Sequence, residues 1–186
     1  PNSISVIDNS QNIIHNEIHG KRILIAVGGQ PNRPNIPGAE FAWISDDMFL
    51  LDNFPEQIVI VGGGYIACEF SCILNGLGVS VIHLVRGKHL LRGFDNELSF
   101  SLETDMRRKG IQLFFEENLL EIKGEPGDLD LKTTKHNSIK CGGLLFATGR
   151  TPFLNRLNLQ LAGVKVSGNR IWTDKNQRTN VPHIYA

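Results

Sequence analysis

Gly62-Gly63-Gly64-Tyr65-Ile66-Ala67 lies between a continuous apolar run, Ile58-Val59-Ile60-Val61, and a stretch with helical spacing, Ile66, Phe70, Ile73, Leu74 and Leu77. Glycines and a small residue in the order G-x-G-x-x-A, set at a strand-to-helix turn, suit the binding of a dinucleotide pyrophosphate. Gly62 permits the tight turn, Gly64 the close approach of backbone to the anion, and Ala67 the close packing of helix on sheet. The phosphates would meet free N–H groups and the positive end of the helix dipole. A glycine-rich turn that holds no ligand is the plainer alternative. The strand pattern before the loop and the helix pattern after it argue against that alternative.

The end of the next strand tells which dinucleotide is held. A site for the 2′-hydroxyl form offers an acidic residue about 20 residues on. Here no Asp or Glu occurs from Phe70 to Phe94, and the strand ends in Arg86-Gly87-Lys88-His89-Leu90-Leu91-Arg92. Arginine presents a planar fork of donors matched to a phosphate dianion, so Arg86 and Arg92 read as a 2′-phosphate clamp, with Lys88 able to add charge. That points to NADPH over NADH. Solvated surface charge after a strand stays open as the other reading.

Other reactive side chains form no constellation. Cys68 and Cys72 lie four apart on a helix that must pack on a sheet, which suits core packing better than a disulfide. Cys141 has no partner in the sequence. The six histidines, at 15, 19, 83, 89, 136 and 183, show no metal-ligand spacing with Cys or carboxylates, and no metal is assigned. A hydrolase nucleophile elbow, G-x-S-x-G, is absent from the sequence.

The elements that would position these residues follow from the pattern. Val79 to Val85 makes a second buried strand, Glu97 to Lys109 a second helix stopped by Gly110, and Ile111 to Phe115 a third strand. Leu144-Leu145-Phe146-Ala147 adds another, and polar hairpins run from Leu119 to Ile139 with turns at Gly124-Glu125-Pro126-Gly127 and His136-Asn137. Residues 1–28 read as short strands, Ile4 to Ile7, Ile13 to Ile18 and Lys21 to Gly28, broken by a polar turn at Asp8 to Asn12; their spacing suggests an antiparallel meander. Pro31, Pro34 and Pro37 enforce an extended connector, and Ser45-Asp46-Asp47 is placed to cap a short helix through Leu51. The fold class is α/β: a Rossmann-like, doubly wound parallel sheet with an antiparallel β-meander.

Composition excludes several classes. The 186 residues are 41% hydrophobic, enough for a sizeable core. Lys+Arg 19 balances Asp+Glu 19, so no whole-chain field favours nucleic acid or an anionic membrane, and an anion site must be local. No apolar run approaches the roughly 18–20 residues of a membrane span, and no secretory signal pattern opens the chain. Three Cys argue for a reducing, cytoplasmic compartment. Pro1 and Ala186 read as cut ends, so a longer polypeptide is expected.

With these residues in view, the chain resembles the glutathione reductase family of flavin-dependent pyridine nucleotide–disulfide oxidoreductases. Gly-Gly-Gly-Tyr-Ile-Ala-Cys-Glu at 62–69 and Val-Arg-x-x-x-x-Leu-Arg-x-Phe-Asp at 85–95 carry the likeness. Ile23 to Gly29 with Ile36-Pro37-Gly38 resembles the first ATG segment closing the flavin domain, although Val27 replaces the usual Thr. Ala147-Thr148-Gly149-Arg150-Thr151-Pro152 resembles the second, and Thr179 to Ala186 the strand leading to a flavin-binding Gly-Asp. Gly87 departs from relatives that carry a His beside the clamp arginine.

The resemblance implies that residues 1–28 end an FAD-binding domain, 29–152 form the NADP-binding domain, and 153–186 start a central segment. It implies NADPH contacts at Gly62, Gly63, Gly64, Tyr65, Ile66, Ala67, Glu69, Arg86, Lys88, Arg92, Gly149 and Arg150, with Ala26, Val27 and Gly28 on the FAD side. Tyr65 would cover the flavin until NADPH displaces it, and Glu69 would lie near the nicotinamide. Read without the family, Tyr65 is a half-buried ring and Glu69 a helix charge. The implied activity passes electrons from NADPH to FAD, to a redox disulfide and then to glutathione disulfide. It would take place in a homodimer formed through a C-terminal domain; the redox cysteine pair and catalytic His of the family lie outside these residues. Dihydrolipoamide or mercuric reductase relatives, and a non-catalytic dinucleotide module, are the alternatives; an acidic residue near position 86 would favour the first.

Overall fold

The computed structural model describes residues 2–7 and 14–186. Contacts divide the chain into two units, Pro31–Arg150 and a second built from Pro1–Gln30 with Thr151–Ala186.

In the larger unit, five strands form a wholly parallel sheet. They are β1 (Trp43–Ile44), β2 (Gln57–Val61), β3 (Ser80–Val85), β4 (Gln112–Phe115) and, after three intervening strands, β8 (Gly143–Phe146). Their spatial order is β1-β8-β2-β3-β4. The apolar run at 58–60 is explained by that order: β2 is central, and Ile58, Val59 and Ile60 are fully buried because both faces are covered. On one face Ile58, Ile60, Val81 and Val85 pack against α1 (Tyr65–Gly76) and α2 (Asn96–Arg108). On the other, Val59, Ile82, Leu84 and Phe146 pack against a three-stranded antiparallel meander, β5 (Leu119–Glu125), β6 (Asp128–Thr133) and β7 (Ile139–Cys141). The expected parallel sheet is therefore present, and the polar hairpins expected from Leu119 to Ile139 form this meander. The winding has one refinement: both helices share a face, and the meander covers the opposite one.

Both helices end as their glycines require. At α1 the Gly78 N–H donates to the Asn75 carbonyl (3.0 Å) and the Val79 N–H to the Leu74 carbonyl (3.0 Å), while Gly78 adopts φ 91°. This left-handed closure is open to glycine at little cost and aims the chain directly into β3. Helix α2 starts at Asp95, whose carboxylate accepts from the N–H groups of Glu97 (2.8 Å) and Leu98 (3.4 Å). The sequence places the apolar stripe of α1 at Ile66, Phe70, Ile73, Leu74 and Leu77, but Ile73 and Leu77 are exposed. The buried face is instead Ala67, Cys68, Ser71 and Leu74, small residues that let the helix approach the sheet closely. The short helix expected after Ser45 is a single 3₁₀ turn, Asp47–Phe49. Asp46 makes no side-chain cap there, and the Asp47 carboxylate accepts from the Ile44 N–H at 2.8 Å.

The terminal unit departs further from expectation. Ser3–Ile7 pairs antiparallel with Ile14–His19, and the turn expected between them lies outside the described residues. Of the stretch Lys21 to Gly28 only Ile23–Leu24 is a strand. It pairs in parallel with Ile184–Tyr185 from the far end of the chain, so it adds no third strand to the meander expected there. The core of this unit is Leu159, Val164 and Ile184.

Candidate functional site

The chain leaves β2 toward β3 on one side, while β8 lies on its other side, so the strand order reverses between β2 and β8. Open α/β sheets bind ligands at such a point, beyond the carboxyl ends of the strands. A cleft of about 590 Å³ opens there within the larger unit. Its walls include Gly62 to Ile66 after β2, Arg86, Gly87, His89 and Arg92 after β3, Glu117 to Leu119 at the start of β5, and Ala147 to Arg150 after β8.

The glycine loop divides its work differently from the motif's plain reading. Gly62 has φ 148°, and a Cβ on it would stand 2.2 Å from the Ala147 carbonyl oxygen, so Gly62 is required by the neighbouring strand end. Gly64, which lines the cleft, has φ −90° and nothing within 4 Å of a Cβ, so open space lies where a side chain would stand. Ala67 is completely buried and acts by packing. Gly64 is the N-cap of α1 and no side chain caps the helix. The first intrahelical bond runs from the Cys68 N–H to the Gly64 carbonyl (3.2 Å), so the N–H groups of the first turn lack helical acceptors. The loop thus fits an anionic group brought to an open, uncapped helix N-terminus.

The loop after β3 is tied to this site from two sides. The Leu91 N–H donates to the Gly63 carbonyl at 2.7 Å, with Leu91 held at φ 53°. The Leu90 N–H donates to Oε1 of Glu103 on α2 at 2.9 Å. Arg86 and Arg92 are exposed and line the cleft, whereas Lys88 is exposed and lies outside the lining. His89 is a lining residue that the motif reading did not single out; its ring meets Phe100 edge-on at 4.8 Å and its Nδ1 is 3.5 Å from Glu103. Tyr65 stands in the cleft wall, 56% exposed. Glu69 is exposed on α1 and outside the lining. Gly149 and Arg150 line the cleft, and the Arg150 guanidinium lies 3.3 Å from the Ser45 hydroxyl and 3.4 Å from the Asp46 carboxylate. Ala26, Val27 and Gly28 belong to the terminal unit, where all three are exposed and the Gly28 carbonyl accepts from the Phe153 N–H at 3.0 Å.

Two buried polar clusters escaped the motif reading. His83, fully buried in β3, lies 2.7 Å through Nε2 from the Gly62 carbonyl and 3.1 Å through Nδ1 from the Ser71 hydroxyl. Burial lowers its pKa to about 4, so it is neutral near pH 7. An imidazole within Val81-Ile82-His83-Leu84-Val85 was the available signal. The buried Glu117 carboxylate accepts from the Thr133 hydroxyl and lies 2.5 Å from Nδ1 of His136, fastening the β6–β7 turn beside the cleft. Cys68 and Cys72 pack against the core, as their helix spacing suggests, and Cys141 is buried in β7; burial pushes the Cys68 thiol up to about 12 and Cys141 to about 11, so both stay protonated near pH 7. Among the described residues no group of three or more His, Cys, Asp or Glu is arranged to hold a metal, and no helix is long and apolar enough to cross a membrane.

Comparison with known proteins gives the family. Residues 3–186 match the family model of pyridine nucleotide-disulphide oxidoreductases. The chain is 39% identical over 170 residues to a glutathione reductase of Burkholderia cepacia, covering 91% of this chain and 38% of that protein. It is 44% identical over 168 residues to the chloroplastic/mitochondrial glutathione reductase of Pisum sativum, covering 89% of this chain and 30% of that protein. It superposes with TM-score 0.88 and 26% identity on a HOCl-induced flavoprotein disulfide reductase from Escherichia coli, solved as a Cu(II) complex, covering 99% of this chain and 42% of that one. The chain therefore spans well under half the length of these relatives, and the match over residues 3–186 makes it a member of the pyridine nucleotide-disulphide oxidoreductases.

Proposed function

We propose that this chain is the NADPH-binding portion of a glutathione-disulfide reductase. The observation that carries the reading is the uncapped N-terminus of α1, opening on a cleft whose β3 side offers Arg86 and Arg92 and no carboxylate from Phe70 to Phe94. The backbone N–H groups of Gly63, Gly64, Tyr65 and Ile66 would hold the pyrophosphate, and Arg86 and Arg92 the 2′-phosphate. Lys88 would contribute only long-range charge. Tyr65, Gly149 and Arg150 would border the nicotinamide, Glu69 would stand outside the cleft wall, and Ala26, Val27 and Gly28 would face FAD in the terminal unit. The hydride chemistry belongs to the bound nicotinamide and flavin; the roles left to this chain are to hold and to orient.

The residues described hold no redox cysteine pair, so residues 1–186 alone should not turn over, whereas the intact enzyme should. The test is NADPH-dependent reduction of glutathione disulfide by the intact enzyme, run beside oxidised lipoamide and Hg(II). Preference for glutathione disulfide with NADPH is the expected result. A preference for lipoamide or Hg(II), or turnover by residues 1–186 alone, would overturn the assignment. Homodimerisation and a cytoplasmic location belong to the same proposal.

A further inference from the structure

The side of the sheet that packs on α1 is apolar except at one place. Along β3, Val81, His83 and Val85 alternate onto that face, and His83 there meets Ser71 of α1. An apolar side chain would fill the space without desolvating an imidazole. Resting on the dinucleotide reading above, we infer that His83 and Ser71 are a positioning pair for the phosphate loop, locking the peptide between Gly62 and Gly63 so that its N–H faces away from the imidazole and its carbonyl cannot turn toward the anion.

The hydrogen-bond chemistry allows one arrangement. A carbonyl only accepts, so Nε2 must carry the proton it donates to Gly62 O at 2.7 Å. Nδ1 is then an acceptor, and the Ser71 hydroxyl donates to it at 3.1 Å. In a planar trans peptide the C=O and the following N–H point in opposite directions. Fixing the Gly62 carbonyl on His83 therefore directs the Gly63 N–H the other way. The lock has a purpose, because a Gly-Gly peptide has no Cβ on either side to hinder rotation. A flipped peptide would set a carbonyl oxygen where an N–H belongs. The remaining bonds complete the hold: the Gly62 N–H donates to the Leu84 carbonyl at 3.0 Å, and the Gly63 carbonyl accepts from Leu91.

The test is titration calorimetry of NADPH and NADH on the wild-type chain and on His83→Leu, His83→Gln and Ser71→Ala, with the ¹⁵N shifts of the wild-type imidazole. Loss of a buried hydrogen bond predicts about tenfold weaker binding in His83→Leu. The loss should be equal for NADPH and NADH because the pyrophosphate is common to both, and His83→Leu should still melt cooperatively, at a lower temperature for want of the buried hydrogen bonds. His83→Gln, which keeps a donor, should recover most of the affinity, and Ser71→Ala should show a smaller loss. Wild-type affinity in His83→Leu, or an imidazole protonated on Nδ1, overturns the positioning role even if His83→Leu does not fold. A wild-type chain that binds neither nucleotide overturns the dinucleotide reading instead.

Discussion

The two outer glycines of the phosphate loop look equivalent in the motif and are opposite in the structure. At Gly62 any Cβ meets the Ala147 carbonyl oxygen at 2.2 Å; at Gly64 it meets nothing. Gly62→Ala should therefore destabilise the fold by about 2–4 kcal/mol, the range of backbone strain combined with a steric clash. Gly64→Val should leave the melting temperature within a few degrees and abolish dinucleotide binding, because its side chain occupies the space left for the pyrophosphate. Circular dichroism melts with calorimetric titration of the two variants check both halves, and a Gly64→Val chain with undiminished NADPH affinity would move the site elsewhere. At this scale the position of the loop between strand and helix, and of the arginines at the end of β3, was legible, since residue type and spacing carry it. The position of Lys88 and Glu69 outside the cleft wall was not legible, because spacing alone does not say which way a side chain on an exposed loop or helix faces.

Among the elements, the strands were read more accurately than the face of α1. Runs such as Ile58 to Val61 identify themselves by continuous apolarity, whereas a helix with apolar residues on more than one side leaves its buried face undecided. The sheet selected Ala67, Cys68, Ser71 and Leu74, and left Ile73 55% and Leu77 62% exposed. Phe70 instead packs edge-on with Phe49, ring centroids 5.8 Å apart. Ile73→Ser should accordingly change stability by no more than about 0.5 kcal/mol in a urea melt of this chain, as exposed positions do. A loss above about 2 kcal/mol would place that face in the core after all. The pairing of Ile23–Leu24 with Ile184–Tyr185 was beyond a local reading, because neither two-residue strand carries a periodicity that names its partner.

For the whole molecule, acid should act first through His83. Its pKa falls from 6.5 to about 4 on folding, so between those values the unfolded chain binds more protons than the folded one. Its contribution is complete above pH 6.5 and disappears as pH falls toward 4, in total roughly 3 kcal/mol at about 1.4 kcal/mol per unit. Denaturant melts from pH 7 to 4 should show that slope in the wild type and a shallower one in His83→Leu; identical slopes would remove His83 from the account.

The central claim is that a 2′-phosphate is read at the end of β3, and calorimetric titration of NADPH and NADH on the wild type and on Arg86→Ala/Arg92→Ala tests it most directly. Charge-assisted bonds at an exposed rim are worth roughly 2–4 kcal/mol for the pair after screening, or about 30- to 700-fold. NADPH should weaken by that factor, less so at high salt, while NADH barely changes. Equal losses for the two nucleotides would contradict the claim, leaving the arginines as supports of the fold.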